Sequence, residues 1–293
     1  MNWLRPQHHD RGRLLINPAY RDLLAANGLL NFDAVMSYAG GQVLRTLVWR
    51  ENLRMELVDG GGRRVVVYAK RHRAPSWLEQ VLSLAAGRRV RSFGRREWDA
   101  VAALTAAGIP TAERVVVGER SRGWFAGQSF FITAELAGYR PADEVLGEMP
   151  PDRRGPLLDK IAALTRRFHD AGLNHRDFYL CHVFVRPTGE RAFDLALIDL
   201  QRVARFRGWR RRWLVKDVAQ LAHSARDILS QEEWEDWLCR YFGVDRLGGR
   251  ERRFAKAVRR KADRIARHDA RRRARLPQPS AFSHQPSATD SDD

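Results

Sequence analysis

Cysteine is scarce in this sequence: Cys181 and Cys239 are the only two. With no CxxC pair and no close even spacing, neither a disulfide framework nor a zinc-ligand cluster is expected, and a reducing cytosol fits. Long apolar runs are missing as well. No stretch approaches the roughly 18 apolar residues that a membrane-crossing helix needs. The opening residues, MNWLRPQHHDRGRLL, contain no apolar core of a secretory signal. No fixed-period repeat is found. Lysine is rare among the cations: 5 lysines stand against 47 arginines, and Lys70 is the only lysine in the first 159 residues. Where arginine is the default cation, each lysine is informative. Acidic residues are also in deficit, 35 against 52 basic ones, which gives a net charge of +17. That surplus excludes a generic acidic enzyme. It points to a polyanionic partner: nucleic acid, a membrane surface or an acidic substrate.

What is present is ordinary in bulk. The 293 residues are 44% hydrophobic and 30% charged, enough for one large domain or two lobes with a sizeable core. The charge is unevenly placed. Residues 250–276 hold 13 Arg or Lys and 3 Asp or Glu, and the last 17 residues hold three Asp and no Arg or Lys. Phe254, Val258, Ala262 and Ile265 recur at helical spacing in the basic segment. This predicts a basic C-terminal helix over 250–276. Such a helix either docks weakly on the body, lies on anionic lipid, or contacts nucleic acid. Residues 277–293, rich in Pro and Ser, read as a disordered tail.

Along the chain, residues 1–32 read as an N-terminal extension with one short helix near Ala19–Asn27. Strands are expected at Leu44–Val48, Leu53–Val58 and Arg64–Ala69, the last running into Lys70. A helix at Arg95–Ala107 stops at Gly108 with Pro110 beyond. Strands at Arg114–Val117 and Ser129–Ala134 follow, with turn residues across Gly118–Gly127. After Gly138 the pattern becomes helical, beginning with Leu157–Ala171. A hairpin at Val183–Val185 and Leu195–Ile198 interrupts it, and helices resume from Trp213. The expected architecture is α+β: a β-rich lobe over 33–136 with one main helix, then a helical lobe over 137–249.

Five chemistry-bearing features occur in one order. Lys70 ends a strand, and Glu97 lies on the next helix, with Asp99 as its rival. His175-Arg176-Asp177 follows a long helix. Asp199 ends a short strand in Leu197-Ile198-Asp199-Leu200, and Asp217 opens a helix in Lys216-Asp217-Val218. An isolated His-Arg-Asp is a common turn sequence; the joint pattern is not.

This set resembles the protein-kinase-like fold. More narrowly, His-Arg-Asp-Phe-Tyr-Leu-Cys-His-Val-Phe at 175–184, with Ile198-Asp199-Leu200 and Val215-Lys216-Asp217, resembles the Kdo/WaaP-type lipopolysaccharide core kinases over about residues 33–240. The resemblance implies phosphoryl transfer from ATP to a sugar hydroxyl, heptose or Kdo, of the lipopolysaccharide inner core. It implies Asp177 as the base within the loop of His175 and Arg176, and Asp199 as ligand of Mg2+. It implies Lys70 on the ATP phosphates with Glu97 holding it, and Asp217 as a structural anchor of the loop. His182 stands where protein kinases carry a metal-binding Asn, and the lipopolysaccharide kinases share that His; its alternative is a structural loop histidine. No GxGxxG occurs; Gly40 and Gly41 read either as the phosphate-covering turn or as an ordinary loop. Order along the chain makes Glu135 and Leu136 the expected adenine contacts.

The segment 202–213 contains six arginines with Trp209 and Trp213; the kinase resemblance implies that it lines the acceptor side of the cleft, and its alternative is a solvated loop. The implied partners are the acidic core glycolipid and an anionic inner-membrane surface, on its cytoplasmic face; nucleic acid is not favoured. Two other readings explain part of the pattern. A kinase acting on protein or a small molecule would use the same catalytic residues, although a cationic aminoglycoside suits a +17 protein poorly. An inactive kinase-like protein binding nucleic acid or membrane would explain the charge but not the intact catalytic set.

Overall fold

A computed structural model describes residues 5–74, 80–81, 85, 91–122, 125–205 and 210–275. The expected tail at 277–293 and Trp209 lie outside them.

The β-branched and aromatic runs of the first half form a seven-stranded sheet. Its strands are β1 (Gln7–His9), β2 (Leu14–Ile16), β3 (Gln42–Leu47), β4 (Arg50–Val58), β5 (Arg64–His72), β6 (Arg114–Arg122) and β7 (Phe125–Ala134), in the order β1-β2-β6-β7-β5-β4-β3. The expected extension at 1–32 is instead part of this lobe. β2 pairs antiparallel with β6, Leu14 and Ile16 are buried, and the short helices α1 (Arg21–Ala26) and α2 (Phe32–Ser37) cover one sheet face through Leu24, Phe32 and Val35. Strands of three residues give too short a pattern to separate from a loop.

The other face receives α3 (Phe93–Ala106), capped where the Ser92 side chain accepts the Arg95 amide. Gly94 sets the close approach: a Cβ there would lie 2.6 Å from the Phe130 carbonyl oxygen on β7. Gly118, expected in a turn, lies inside β6, where the ring of Phe130 fills the space a side chain would need. Trp98, Val101 and Leu104 of α3 belong to a hydrophobic core that continues into the second half of the chain.

That half is helical, as expected. It contains β8 (Arg140–Pro141), α4 (Ala142–Glu148), α5 (Gly155–Asp170), β9 (Leu173–Asn174), the hairpin β10 (Val183–Pro187) and β11 (Phe193–Leu197), β12 (Ala204–Arg205), α6 (Arg210–Ala225), α7 (Gln231–Phe242) and α8 (Gly249–Arg275). α5 buries Leu158, Ile161, Leu164, Thr165 and Phe168, the face its periodicity predicts. β11 is tied to the end of α3 by the bond from the Leu197 amide to the Pro110 carbonyl (2.9 Å), which carries the segment after it to the lobe junction.

α8 docks firmly rather than weakly. Phe254, Val258 and Ala262 are 6%, 1% and 4% exposed, and the Phe254 ring meets Tyr241 and Phe242 of α7. Burying Phe254 and Val258 contributes on the order of 1.5–3 kcal/mol each. The apolar stripe is therefore inside the core and cannot insert into lipid; only the cationic face of α8 is open to solvent.

Candidate active site

Lys70 lies on β5 between Asn52 of β4 and Phe131 of β7. Its Nζ is 2.6 Å from Glu97 Oε1 and 3.0 Å from Asp199 Oδ1. Glu97, not Asp99, is the partner: Asp99 sits on another face of α3, paired with Arg91 and Arg95. Burial pulls the Lys70 pKa down, but the carboxylates of Glu97 and Asp199 outweigh it and leave it raised. Burial likewise pushes Asp199 up, and Lys70, His182 and Arg50 reverse this, holding its carboxyl at about 2. Both residues are therefore charged at neutral pH. Asp199 follows β11 in a left-handed conformation, φ +55°. An L side chain adopts that region at a cost of about 1–3 kcal/mol, so the surroundings must impose it.

The His175-Arg176-Asp177 loop leaves β9, and Asp217 holds it. Asp217 lies well inside α6 rather than at a helix start, so a helix-dipole role does not apply. Its fully buried carboxylate accepts the backbone amides of His175 and Arg176, each at 2.8 Å, with His169 Nε2 at 3.5 Å. These charge-assisted bonds fix Arg176 at φ +68° and set the direction of Asp177. Gln220, one turn further along α6, accepts the Phe178 amide at 3.0 Å and donates to Asp177 Oδ1 at 3.4 Å. Arg202 Nη1 approaches the same oxygen at 3.4 Å. His175 is buried, which lowers its pKa to about 4 and keeps it neutral, and its Nε2 donates to the Ile198 carbonyl at 3.0 Å. One hydrogen bond thus ties the Asp177 loop to the residue before Asp199.

His182 Nδ1 donates to the Asp177 carbonyl at 2.7 Å, and His182 Nε2 lies 3.8 Å from Asp199 Oδ2. A cation held by both residues would lie between that Nε2 and the carboxylate oxygen. The Asp199 carboxylate fits Mg2+, which takes one or two carboxylates and completes its shell with water and phosphate oxygens, whereas the His182 imidazole is a poorer ligand for so hard a cation.

Between the lobes lies a cavity of about 360 Å3, lined by Lys70, Glu97, Glu135, Leu136, Phe184 and Asp199 among others. Glu135 donates its amide to the Val66 carbonyl at 3.1 Å, leaving the Glu135 carbonyl and the Leu136 amide as backbone groups for a ligand. Gly40 and Gly41 do not reach this cavity. Register explains why: Gln42 opposes Arg54 at the far end of the β3–β4 hairpin, whereas its tip, Val48–Trp49, leads into Arg50, whose Nη1 lies 4.0 Å from Asp199. The turn beside the site contains no glycine, so composition gave no signal for it. Among 47 arginines, nothing marked Arg50 either. A second cleft, about 660 Å3, opens beside Arg176 and is lined by Trp49, Phe93, Arg96, Asp99, Arg202 and Arg205 among others. The cationic segment 202–213 therefore divides, with Arg202 and Arg205 here and Arg211 and Arg212 elsewhere.

The model of the lipopolysaccharide kinase (Kdo/WaaP) family matches residues 82–241. The chain belongs to this family. Among its relatives is the lipopolysaccharide core heptose(I) kinase WaaP of Pseudomonas aeruginosa, 33% identical over 239 residues, covering 78% of this chain and 86% of that protein. The protein of the same description from Escherichia coli K12 is 31% identical, covering 70% of this chain and 78% of that protein. A 3-deoxy-D-manno-octulosonic acid kinase of Photobacterium damsela subsp. piscicida is 28% identical over 142 residues, or 46% of this chain and 54% of that protein. A solved structure described as WaaP in complex with acyl carrier protein superposes with a TM-score of 0.65 at 29% identity, covering 86% of this chain and 99% of that one. The fold is accordingly protein-kinase-like, and this Kdo/WaaP-family member is an ATP-dependent phosphotransferase.

Proposed function

We propose that the protein phosphorylates a sugar hydroxyl, heptose first and Kdo as the alternative, on the inner core of lipopolysaccharide. The observation that carries this reading is the single cluster of Lys70, Glu97 and Asp199, with the Asp177 carboxylate 3.4 Å from Arg202, one of the arginines lining the second cleft. Heptose comes first because the relatives named for it match more of the chain than the one named for the octulosonic acid. ATP chelated by Mg2+ supplies the phosphoryl group when bound. Lys70, oriented by Glu97, holds its phosphates, and the Glu135 carbonyl and Leu136 amide hold the base. Asp199 and His182 hold the metal. Asp177, fixed by Asp217 and Gln220, accepts the hydroxyl proton. Phosphoryl transfer needs positioning and charge neutralisation more than covalent help, and these residues provide both. Arg96, Arg202 and Arg205 suit an acceptor bearing phosphate or carboxylate, and disfavour a cationic small molecule.

The domain division we propose follows the site: residues 5–136 form the nucleotide-side lobe, and 137–275 the acceptor-side lobe including α8. No described helix is long and apolar enough to cross a membrane. A peripheral position on the inner face of the inner membrane, held by charge, follows from the acceptor proposed. The test is transfer of label from γ-labelled ATP with Mg2+ to purified core glycolipid. Wild-type protein should label it and Asp177→Ala should not; equal labelling by the two would refute the mechanism.

A further inference from the structure

Beyond both clefts, the loop side of α6 and the open face of α8 enclose a third cavity, of about 740 Å3. Its lining is almost wholly cationic: Arg176, Arg211, Arg212, Lys216, Lys261 and Arg264, with no carboxylate among the lining residues. Some exposed arginines of this lobe are matched to acids, as in Arg186 with Asp194, Arg226 with Asp263 and Arg240 with Asp159, and others, such as Arg153, Arg167 and Arg259, stand singly on the open surface. Among the described residues, Arg211, Arg212, Lys261 and Arg264 have no such partner. Trp213 stands at the centre, with the guanidinium carbons of Arg176 and Arg212 at 5.0 and 5.2 Å from its ring centroid and Lys216 Nζ at 5.9 Å. The ring holds the three cations near one another. The buried apolar stripe of α8 fixes Lys261 and Arg264 from the other side. Cations that converge in a concave space with no carboxylate in its lining describe an anion site rather than a solvated surface.

We propose that this cavity binds a phosphate group carried by the lipid-linked acceptor, away from the hydroxyl that is phosphorylated. This rests on the glycolipid reading above. The concave shape favours a compact polyanion over a protein face, which would meet a flatter surface. The position suits an acceptor reaching both sites, because Lys216 Nζ donates to the carbonyl of Arg176, the residue before Asp177. Burial, then the charge of Arg202, lower the Lys216 pKa against the opposing charge of Asp217.

The experiment uses the full chain and Lys261→Glu/Arg264→Glu, which reverses charge on the solvent-facing side of α8. The probes are phosphorylated lipopolysaccharide and the same material dephosphorylated with hydrofluoric acid. Affinity is measured by sedimentation without ATP, and KM by label transfer. Wild type should prefer the phosphorylated acceptor by about tenfold or more, and the reversal should bring the ratio to about one while the dephosphorylated acceptor binds as before. Lys261→Arg/Arg264→Lys, which keeps the charge, should retain the preference. An unchanged preference in the reversal, or an equal loss with both acceptors, overturns the site. Acyl carrier protein, the partner in the solved relative, is a third probe: a loss confined to it overturns the site as well, since the cavity would then be a protein-docking face. Sedimentation decides the site even if wild type transfers no phosphate, an outcome that would refute the proposed function alone.

Discussion

Asp217→Asn is the most informative single change to the catalytic loop. Asp217 is fully buried and its two oxygens accept one backbone amide each, from His175 and Arg176, at 2.8 Å. Asparagine keeps the shape but offers one acceptor and one donor. One amide is then left facing an NH2 group, and the other bond loses its ionic character. A charge-assisted bond is worth about 1.5–3 kcal/mol, and an orphaned buried donor costs about 1–3 kcal/mol. The left-handed Arg176, which these bonds impose, would relax as well. Together the change should destabilise the protein by about 2–4 kcal/mol. At about 2–4 °C per kcal/mol for a chain of this size, the Tm should fall by roughly 5–15 °C. Below that temperature the variant should still bind ATP, because Lys70, Glu97 and Asp199 are untouched, yet kcat should drop by about 100-fold as Asp177 loses its direction. Differential scanning calorimetry and label transfer measure the two effects. A Tm within about 1 °C of wild type, or an unchanged kcat in a destabilised variant, would refute the anchor.

Arg50→Ala should raise the KM for ATP by about tenfold with little change in thermal stability, since the residue meets Asp199 across the mouth of the cavity; nucleotide titration checks it. His72 is buried beside Trp49 and Phe93, and among the described residues neither ring nitrogen has a hydrogen-bond partner. Burial, then Lys70 and Arg50, lower its pKa to about 3, and burial lowers that of His175 to about 4. Unfolded histidines titrate near 6.5, so the stability these groups confer is complete above about pH 6.5 and declines as pH falls toward 4 and 3. Urea denaturation at pH 7.5 and 5 should show this loss, and His72→Phe should reduce it. Val258→Asp puts a charge into the core under α8 and should cost about 3 kcal/mol or more, where a loosely attached helix would lose nothing measurable; chemical denaturation separates the two.

How much of this was visible in the sequence depended on whether a residue announces itself by type or by partner. Lys70 stood out through the rarity of lysine, and the structure joins it to Glu97 and Asp199 as the motif order implies. The periodicity of α5 named its buried face correctly. Arg50 and Gln220 were invisible because their surroundings come from strand register and helix phase, which composition does not encode. Gly40 and Gly41 misled because glycine signals a turn without saying which turn. Gly118 misled because its missing side chain accommodates the Phe130 ring. Asp217 was legible as an anchor only through the family resemblance; its place in mid-helix required knowing where α6 begins.

The docking of α8 also sets an order of events during synthesis. The seven-stranded sheet is complete once Ala134 has been made, so the lobe containing Lys70 has its sheet early. α6, which carries Asp217, rests against α8, whose Phe254 and Val258 are made much later. Until then the helix behind the catalytic loop has an open apolar flank. Chains emerging N-terminus first therefore finish the nucleotide side before the catalytic loop has its backing, and a nascent chain halted between these points would carry a half-built site.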